Sequence, residues 1–330
     1  MRHAFIACLW LAAAILSTVS LPLWGESSVA GLATLEHLRI GYLWLAAGIL
    51  TVGLVFRRRL LALLAGLILA LNLFYVLPSL YEDGGAPSGK TRFTLLHANL
   101  WHLNPTPEAI AAMLNREAPD LVSIVELTDP EAQRWQGRLG GFWPHRVYCE
   151  NAGCGNMVLS RWPATLLEAR SGWHDGPPFP NVLAARIEHP EGAFTIVVVH
   201  FSRPVEPETQ RAQAIWLARW LPTLPQPVVV AGDFNAAPWS STIKLVSESG
   251  YTRIAHTGPT WPSGPLIFTG IPIDHILGGT GVSAVNVRRL PPFGSDHLAL
   301  LAQIALTPQA IGPAKPAGEG GGTAALVPTP

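Results

Sequence analysis

The sequence predicts an α/β domain preceded by a helical membrane region, and three observations carry that prediction. Three long apolar runs crowd into residues 1–81. Strand-like and helix-like stretches alternate from 91 to 307. Polar residues suited to metal or proton chemistry recur directly after strand-like runs, where a sheet aims side chains into a crevice. The composition agrees, because 49% hydrophobic and 13% charged residues is too apolar for an ordinary soluble enzyme.

The apolar runs span 4–24, 40–56 and 60–80. Each is about long enough to cross a hydrocarbon core of roughly 30 Å at about 1.5 Å per residue. Asn72 is the only strongly polar side chain inside the third. Arg2 and the triplet Arg57-Arg58-Arg59 should stay cytoplasmic, with 25–37 outside. The expectation is a multi-pass inner-membrane protein, anchored in the lipid bilayer, with everything after Tyr81 periplasmic or otherwise extracytoplasmic. The alternative is a cleaved signal peptide over 1–30 with Ser28-Val29-Ala30 as the small-residue site, which places the later chain on the same side. Cys149 and Cys154 would then form a small disulfide loop; unpaired thiols, or a metal site with His145, are the other readings.

Residues 82–90 read as a linker of turn formers, and 308–330 as a disordered Pro/Ala/Gly-rich tail. Between them, 91–307 forms one domain. Residues 93–98 are a strand ending at Asn99, and 106–116 a helix with Thr106 as its cap and proline in its first turn. Residues 121–125 are a buried strand ending at Glu126; 156–160 and 182–188 are strands. Residues 193–199 run straight into His200, an amphipathic helix covers 207–221, and the strand 228–231 leads into Gly232-Asp233-Phe234-Asn235. A helix over 241–249 is ended by Gly250, and 272–277 and 298–304 close the domain as strands. Asp274-His275 and Asp296-His297 add two more polar clusters.

Asn and carboxylates without clustered Cys or His suggest a hard cation with oxygen ligands, Mg²⁺ first, with Mn²⁺ or Ca²⁺ as alternatives. Histidines with acids beside them suit proton transfer near neutral pH. A hard metal, an Asp–Asn pair and histidines together describe hydrolysis of a phosphoester by an activated water.

At this point the motifs resemble the endonuclease/exonuclease/phosphatase superfamily, and within it bacterial membrane-anchored members. The matching pieces, in order, are His97-Ala98-Asn99-Leu100, Val122-Ser123-Ile124-Val125-Glu126-Leu127, Gly155-Asn156-Met157-Val158-Leu159-Ser160-Arg161 and Val199-His200-Phe201. Gly232-Asp233-Phe234-Asn235, Ile273-Asp274-His275-Ile276-Leu277 and Ser295-Asp296-His297 follow. The resemblance implies a two-sheet α/β sandwich (DNase-I-like) and a metal-dependent phosphodiesterase, a nuclease or a phospholipid headgroup hydrolase.

It also implies roles. Asn99 and Glu126 are expected at the metal, with Asp296 beside them. Asp233 and Asn235 are expected to position the attacking water and hold the phosphate. Asp274 would orient His297, with His200 as the second histidine across the phosphate. Arg203 is a candidate phosphate contact. Asn156 stands where many relatives have an acid, so it would orient His200 or touch substrate without raising its pKa as a carboxylate does. His275 is expected to be structural and Arg161 to pack or pair with a carboxylate. Trp239 and Trp261 are read as stacking on substrate or as packing residues. A formal net charge of zero advertises no basic groove for long nucleic acid. No protein partner is implied. The alternative class, a non-catalytic binding or sensing module, would lack at least one of Glu126, Asp233, Asn235, Asp274 and His297; all are present.

Overall fold

The computed structural model describes residues 2–22, 25, 27–81, 91–104, 106–127, 141–149, 153–172 and 178–307; the expected linker 82–90 and tail 308–330 lie outside the described residues. The apolar N-terminal sequence forms α1 (Arg2–Val19), the short α2 (Ala30–Ala33), α3 (Arg39–Val55) and α4 (Arg59–Tyr81). The stretches Gly31–Val55 and Arg59–Leu80, of 25 and 22 residues, are long and apolar enough to cross a membrane. The first expected span is shorter, an apolar helix over Ala4–Val19. Pro22 explains the early stop, since a residue before proline is pushed out of the helical region.

The helices pack as an antiparallel group whose polar residues find one another. Arg39 donates to the Ser20 carbonyl at 3.0 Å and to Asn72 Oδ1 at 3.2 Å, while Asn72 Nδ2 donates to Ser20 Oγ at 2.9 Å. The lone polar residue of the third run is therefore partnered inside the bundle. Gly53 lets α3 and α4 approach, because a Cβ there would meet the Ala62 backbone nitrogen at 3.0 Å.

The α/β domain consists of two six-stranded sheets. One holds β1 (Thr91–Asn99), β2 (Leu121–Val125), β3 (His145–Tyr148), β4 (Met157–Ser160), β11 (Val282–Arg289) and β12 (Leu300–Leu306), ordered β11-β12-β1-β2-β4-β3. The other holds β5 (Ala164–Arg170), β6 (Asn181–Ile187), β7 (Phe194–His200), β8 (Val228–Asp233), β9 (Thr252–Arg253) and β10 (Asp274–Gly278), ordered β5-β6-β7-β8-β10-β9. At the centre of each sheet lies one parallel pair, β1 with β2 and β7 with β8. Parallel neighbours need a crossover, and the helices α5 (Pro107–Glu117) and α6 (Pro207–Trp220) supply it. A shorter helix, α7 (Ser241–Ser247), packs beside α6. Thr106 stands at the N-cap of α5 but its side chain makes no capping bond there.

Strand alternation decides what each side chain faces. Phe93 and Leu95 of β1, Leu121 and Val125 of β2, Ile196 and Val198 of β7, Val229 and Ala231 of β8, and Ile276 of β10 meet in the core between the sheets. Their neighbours Leu96, Ala98, Val122 and Ile124 pack under α5, and Val197, Val199, Val228 and Val230 under α6. Helices thus cover both outer faces of a two-sheet sandwich. The strand expected over 228–231 runs on to Asp233, paired with His200 on one side and Asp274 on the other. The short or edge strands β3, β5, β9 and β11 were not expected from the sequence.

Cys149 and Cys154 are joined as a disulfide with Cα atoms 5.8 Å apart, which resolves the three readings in favour of the loop. Arg161 pairs with Asp120 at 2.9 Å and lies over the Phe142 ring, as expected for a structural arginine.

The domain rests on the helical region at the end opposite Arg57–Arg59. The segment between α1 and α3 is not a bare connection: Ala237 N–H donates to His37 Nδ1 at 2.9 Å, Trp239 Nε1 to the Glu36 carbonyl at 2.6 Å, and Ser241 N–H to Glu36 Oε1 at 3.2 Å. Trp239 is accordingly a packing residue. At the far end of α4, the Ser79 carbonyl accepts from Arg253 Nη1 at 3.0 Å.

Candidate functional site

The same alternation that builds the inter-sheet core caps it with polar groups. Continuing β1 by twos from Phe93 and Leu95 reaches His97 and Asn99. Continuing β7 from Ile196 and Val198 reaches His200, and β8 from Val229 and Ala231 reaches Asp233. On β10, Asp274 shares its face with Ile276. Four central strands therefore deliver their last inward side chains to one end of the sandwich.

Glu126 breaks this rule. As an even-numbered residue after Val125 it would face α5, but its backbone is left-handed, with φ 57°. That conformation, costly for a non-glycine residue, turns the carboxylate back into the crevice. Trp101 and Asn235, also in the crevice, share the feature with φ 55° and 48°.

Asn99 ties the centre together. Its Nδ2 donates to Glu126 Oε1 at 2.9 Å and to Asp233 Oδ2 at 3.0 Å, while its Oδ1 accepts from Trp101 N–H at 2.8 Å. In this arrangement Asn99 offers donors to the carboxylates, and its oxygen is engaged by the backbone. His200 Nε2 lies 3.6 Å from Glu126 Oε1 and 3.8 Å from Asp233 Oδ2. On the other side His297 Nε2 lies 3.7 Å from Asp233 Oδ2. The two histidines thus flank the Glu126–Asp233 pair.

His297 is held from behind. Its Nδ1 pairs with Asp274 Oδ2 at 2.8 Å, and its backbone N–H donates to Ser295 Oγ at 3.0 Å. Asp274 Oδ1 lies 3.3 Å from His97 Nε2, and His97 Nδ1 lies 3.1 Å from Ser123 Oγ. The Asp274 N–H donates to Thr260 Oγ1 at 3.2 Å. Asn235 donates its N–H to Asp233 Oδ1 at 2.7 Å and its Nδ2 to the Phe201 carbonyl at 2.9 Å.

Charge states follow from these partners. Burial pushes the Asp233 carboxyl up to about 6, with Asp274 adding to the rise and His297 and His200 opposing it. Burial also opposes charge on His297, but Asp274 and Asp233 outweigh it and carry the imidazole up to about 10. Asp274 is buried too, yet His297 and His97 hold it well below the usual carboxylate range. Burial would raise Glu126, but the adjacent His200 and hydrogen bonds from His102 and Asn99 bring it down to about 2. The result is an imidazolium–carboxylate pair beside a carboxylate that burial makes more basic than usual.

Among the described residues, candidate cation ligands fall in two groups, Glu126 with His200 and Asp233, and Asp233 with Asp274 and His297, each with its ligand atoms within 4.8 Å of one another. In the second, Asp274 is already engaged by two histidines, so the first is the more open. Asp296 adds a crevice oxygen: Oδ2 accepts from Trp261 Nε1 at 3.1 Å, while Oδ1 is buried with no hydrogen-bond partner. A carboxylate oxygen that lacks a donor, as Asp296 Oδ1 does, is what a hard cation takes, so this carboxylate-rich set fits a hard divalent cation.

Arg203 lines the crevice, and its side chain makes no hydrogen bond or ion pair among the described residues. Asn156 is elsewhere. It is fully buried, its Nδ2 donating to the carbonyls of Asn181 and Val198 at 3.1 Å each, so it braces β6 and β7 beneath His200 and does not touch the crevice. Its Oδ1 is buried without a hydrogen-bond partner, and the side chain lines neither side of the crevice, so the structure places it away from the expected substrate contact. His97, His102, Ser123, Thr260 and Ser295 are site residues for which no role was expected. His97 carried a usable signal, two residues before Asn99 on the same strand face.

His275 is structural, as expected. It accepts from Arg253 Nε at 3.2 Å and donates Nε2–H to the Ala236 carbonyl at 2.7 Å. Burial and the Arg253 charge lower it to about 3, with Asp274 pulling the other way and His256 adding to the fall. A histidine depressed in the fold binds its proton more readily when unfolded, so its contribution is complete above about pH 6.5 and is lost as pH falls toward 3. Apparent melting of the full chain in detergent micelles should drop across that interval, with a slope of up to about 1.4 kcal/mol per pH unit from this group. His275→Gln, which keeps a donor and an acceptor, should flatten the drop; an unchanged slope in the variant would remove His275 as its source.

Comparison with known proteins completes the description. Residues 96–297 match the Endonuclease/Exonuclease/phosphatase family. "Uncharacterized protein YbhP" of Escherichia coli (strain K12) is 30% identical over 190 residues, covering 54% of this chain and 75% of that protein. The endonuclease/exonuclease/phosphatase from Beutenbergia cavernae DSM 12333 superposes with a TM-score of 0.52 at 19% identity, over 66% of this chain and 72% of that one. A mutant beta toxin from Staphylococcus aureus with bound magnesium ions gives 0.50 at 13% identity, over 64% and 99%. At these identities the solved structures share the fold.

Proposed function

This chain belongs to the endonuclease/exonuclease/phosphatase family, whose members are hydrolases of phosphoester bonds and are typically dependent on divalent metals, and we propose from that membership and its crevice that it is a membrane-tethered, metal-dependent phosphodiesterase. The observation that carries the reading is Asn99 bridging Glu126 and Asp233, with His200 and His297 on either side.

Glu126 and Asp296, with Asp233 and His200 beside them, would hold the cation. When bound, Mg²⁺ supplies Lewis-acid polarisation of a phosphoryl oxygen and charge neutralisation. Asp233 faces the reacting space with one oxygen held by Asn99 and the other by the Asn235 N–H, so its orientation is set before substrate arrives. In this reading it orients the attacking water and takes its proton. His297, kept cationic by Asp274, binds the phosphoryl oxygen on which charge develops. His200 stands on the opposite flank and serves the leaving oxygen. Arg203, unpaired among the described residues, is positioned for a non-reacting phosphate oxygen. The water oxygen bonds to phosphorus, the ester P–O bond breaks, and the alcohol and a phosphomonoester leave with the two water protons shared between them.

The tether reading is supported by the two helices of sufficient length and by the arginine cluster at the end of the bundle away from the domain. By the positive-inside rule that arrangement favours an inner-membrane protein with an extracytoplasmic domain, where the Cys149–Cys154 disulfide also belongs. A phosphatase fusion after Ala305 that is active only when exported would agree; a cytoplasmic reporter signal would overturn the orientation.

The activity is tested with the full chain in detergent and bis(p-nitrophenyl) phosphate. Expected is nitrophenol release that needs Mg²⁺ or Mn²⁺, stops with chelator and returns on adding metal. Cleavage indifferent to the chelator would refute the metal-dependent mechanism.

A further inference from the structure

The crevice has two mouths that share Glu126, Arg203 and Asn235, and they differ in character. One, a cavity of about 360 Å³, is the more polar, with His102, Asn181, Ser202 and Glu206 beside Leu127 and Phe201 on its wall. The other, about 430 Å³, is walled by Leu38, Trp101, Val205, Trp261 and Ile271 as it approaches Asp233 and His297. A phosphate at the centre would have a polar exit on one side and an apolar one on the other.

The apolar wall is partly made by the helical region. Thr34, His37 and Leu38 belong to the turn that leads into α3, and they line this mouth together with the metal-side carboxylates. They also fall within the stretch Gly31–Val55 that is long and apolar enough to cross a membrane. The turn is clamped in place by the Ala237–His37 and Trp239–Glu36 hydrogen bonds. Beyond it, Trp44 of α3 donates Nε1–H to the Phe268 carbonyl at 3.0 Å and meets the Phe268 ring edge-on at 5.8 Å. Trp44, Val205, Leu266 and Phe268 are each more than half exposed. An apolar rim therefore continues from the crevice onto α3, at the end of the bundle where an indole ring at a bilayer surface would sit.

Charge argues for the occupant. Nucleic acid is held by many phosphate contacts from Lys and Arg, and among the described residues Arg203 is the only Lys or Arg on either mouth. One arginine suits a single phosphate. Resting on the phosphodiesterase reading, we propose that the substrate is a membrane lipid phosphodiester. Its apolar chains run from the Leu38, Val205 and Trp261 wall back into the bilayer, and its headgroup occupies the polar mouth. The helical region is thereby part of the substrate site, and Leu38 and Val205 set chain specificity.

The test uses the full chain in mixed micelles with dioleoyl and dihexanoyl phosphatidylglycerol, single-stranded DNA, and bis(p-nitrophenyl) phosphate as the generic diester. Expected is a kcat/KM for the dioleoyl lipid at least about tenfold above that for its dihexanoyl counterpart, the gain arising from buried methylenes. Leu38→Glu and Val205→Glu, on separate elements and at exposed positions that accept charge, should each raise KM for the long-chain lipid and pull the chain-length ratio toward one. Equal rates on both lipids, a ratio unmoved by either substitution, or preference for DNA, all with the generic diester still cleaved, would overturn the lipid inference and leave the phosphodiesterase reading standing. Failure to cleave any of the four, generic diester included, would remove both.

Discussion

Asp233→Asn should lower kcat/KM toward a generic phosphodiester by about 10³-fold, with most of the loss in kcat. The substitution keeps the shape and lets the side-chain oxygen still accept a hydrogen bond from Asn99 or Asn235. It removes the basicity needed to take a proton from water and one anionic oxygen beside the candidate metal position. Asp233 is 1% exposed and bonded at both oxygens, so the site loses chemistry while much of its geometry survives. Steady-state kinetics with saturating Mg²⁺ separate the two quantities, and a melting measurement checks that the variant is folded. A folded Asp233→Asn protein within about threefold of the parent in kcat would exclude Asp233 from proton transfer.

Asp274→Asn is expected to cost about 10²- to 10³-fold in kcat without any contact between Asp274 and substrate. Asp274 sits between two buried histidines, at 2.8 Å from His297 Nδ1 and 3.3 Å from His97 Nε2. Its charge keeps His297 cationic, whereas a neutral amide allows burial to strip that proton. The signature is therefore a pH–rate profile whose alkaline limb moves to lower pH, which a merely structural loss would not produce. His297→Ala should cost at least as much, and the double variant little more than His297→Ala alone, because both act through one imidazolium. Losses that multiply in the double variant would show that Asp274 acts on something other than His297.

Much of this site was legible as strand-end residues. Asn99, His200, Asp233 and Asp274 each close or open a strand whose apolar run announces it, and alternation places each on the same face as that strand's core residues. The edge strands were not legible for the same reason. The sequence of β5 and β11 mixes charged and apolar residues on half-exposed positions, so no continuous buried run marks them. The burial of Asn156 is not legible in the sequence, because an amide next to a strand reads the same whether it faces a crevice or two backbone carbonyls. His102 was invisible, since its partner Glu126 reaches it only after a left-handed turn.

The sequence by itself determined an α/β domain after an apolar helical region, the strand ends that carry chemistry, and an oxygen-rich donor set for a hard cation. These are properties of local pattern: alternation, helical period and residue type. Only the tertiary structure decided that Glu126 turns inward against its strand parity and that Asn99 bridges two carboxylates through its nitrogen. It also decided that Asp274 serves two histidines and that Thr34, His37 and Leu38 wall the crevice. Apart from the Glu126 turn, these features join residues far apart in the chain, and their geometry is set by how two sheets and a helical bundle pack against one another, which no local pattern encodes.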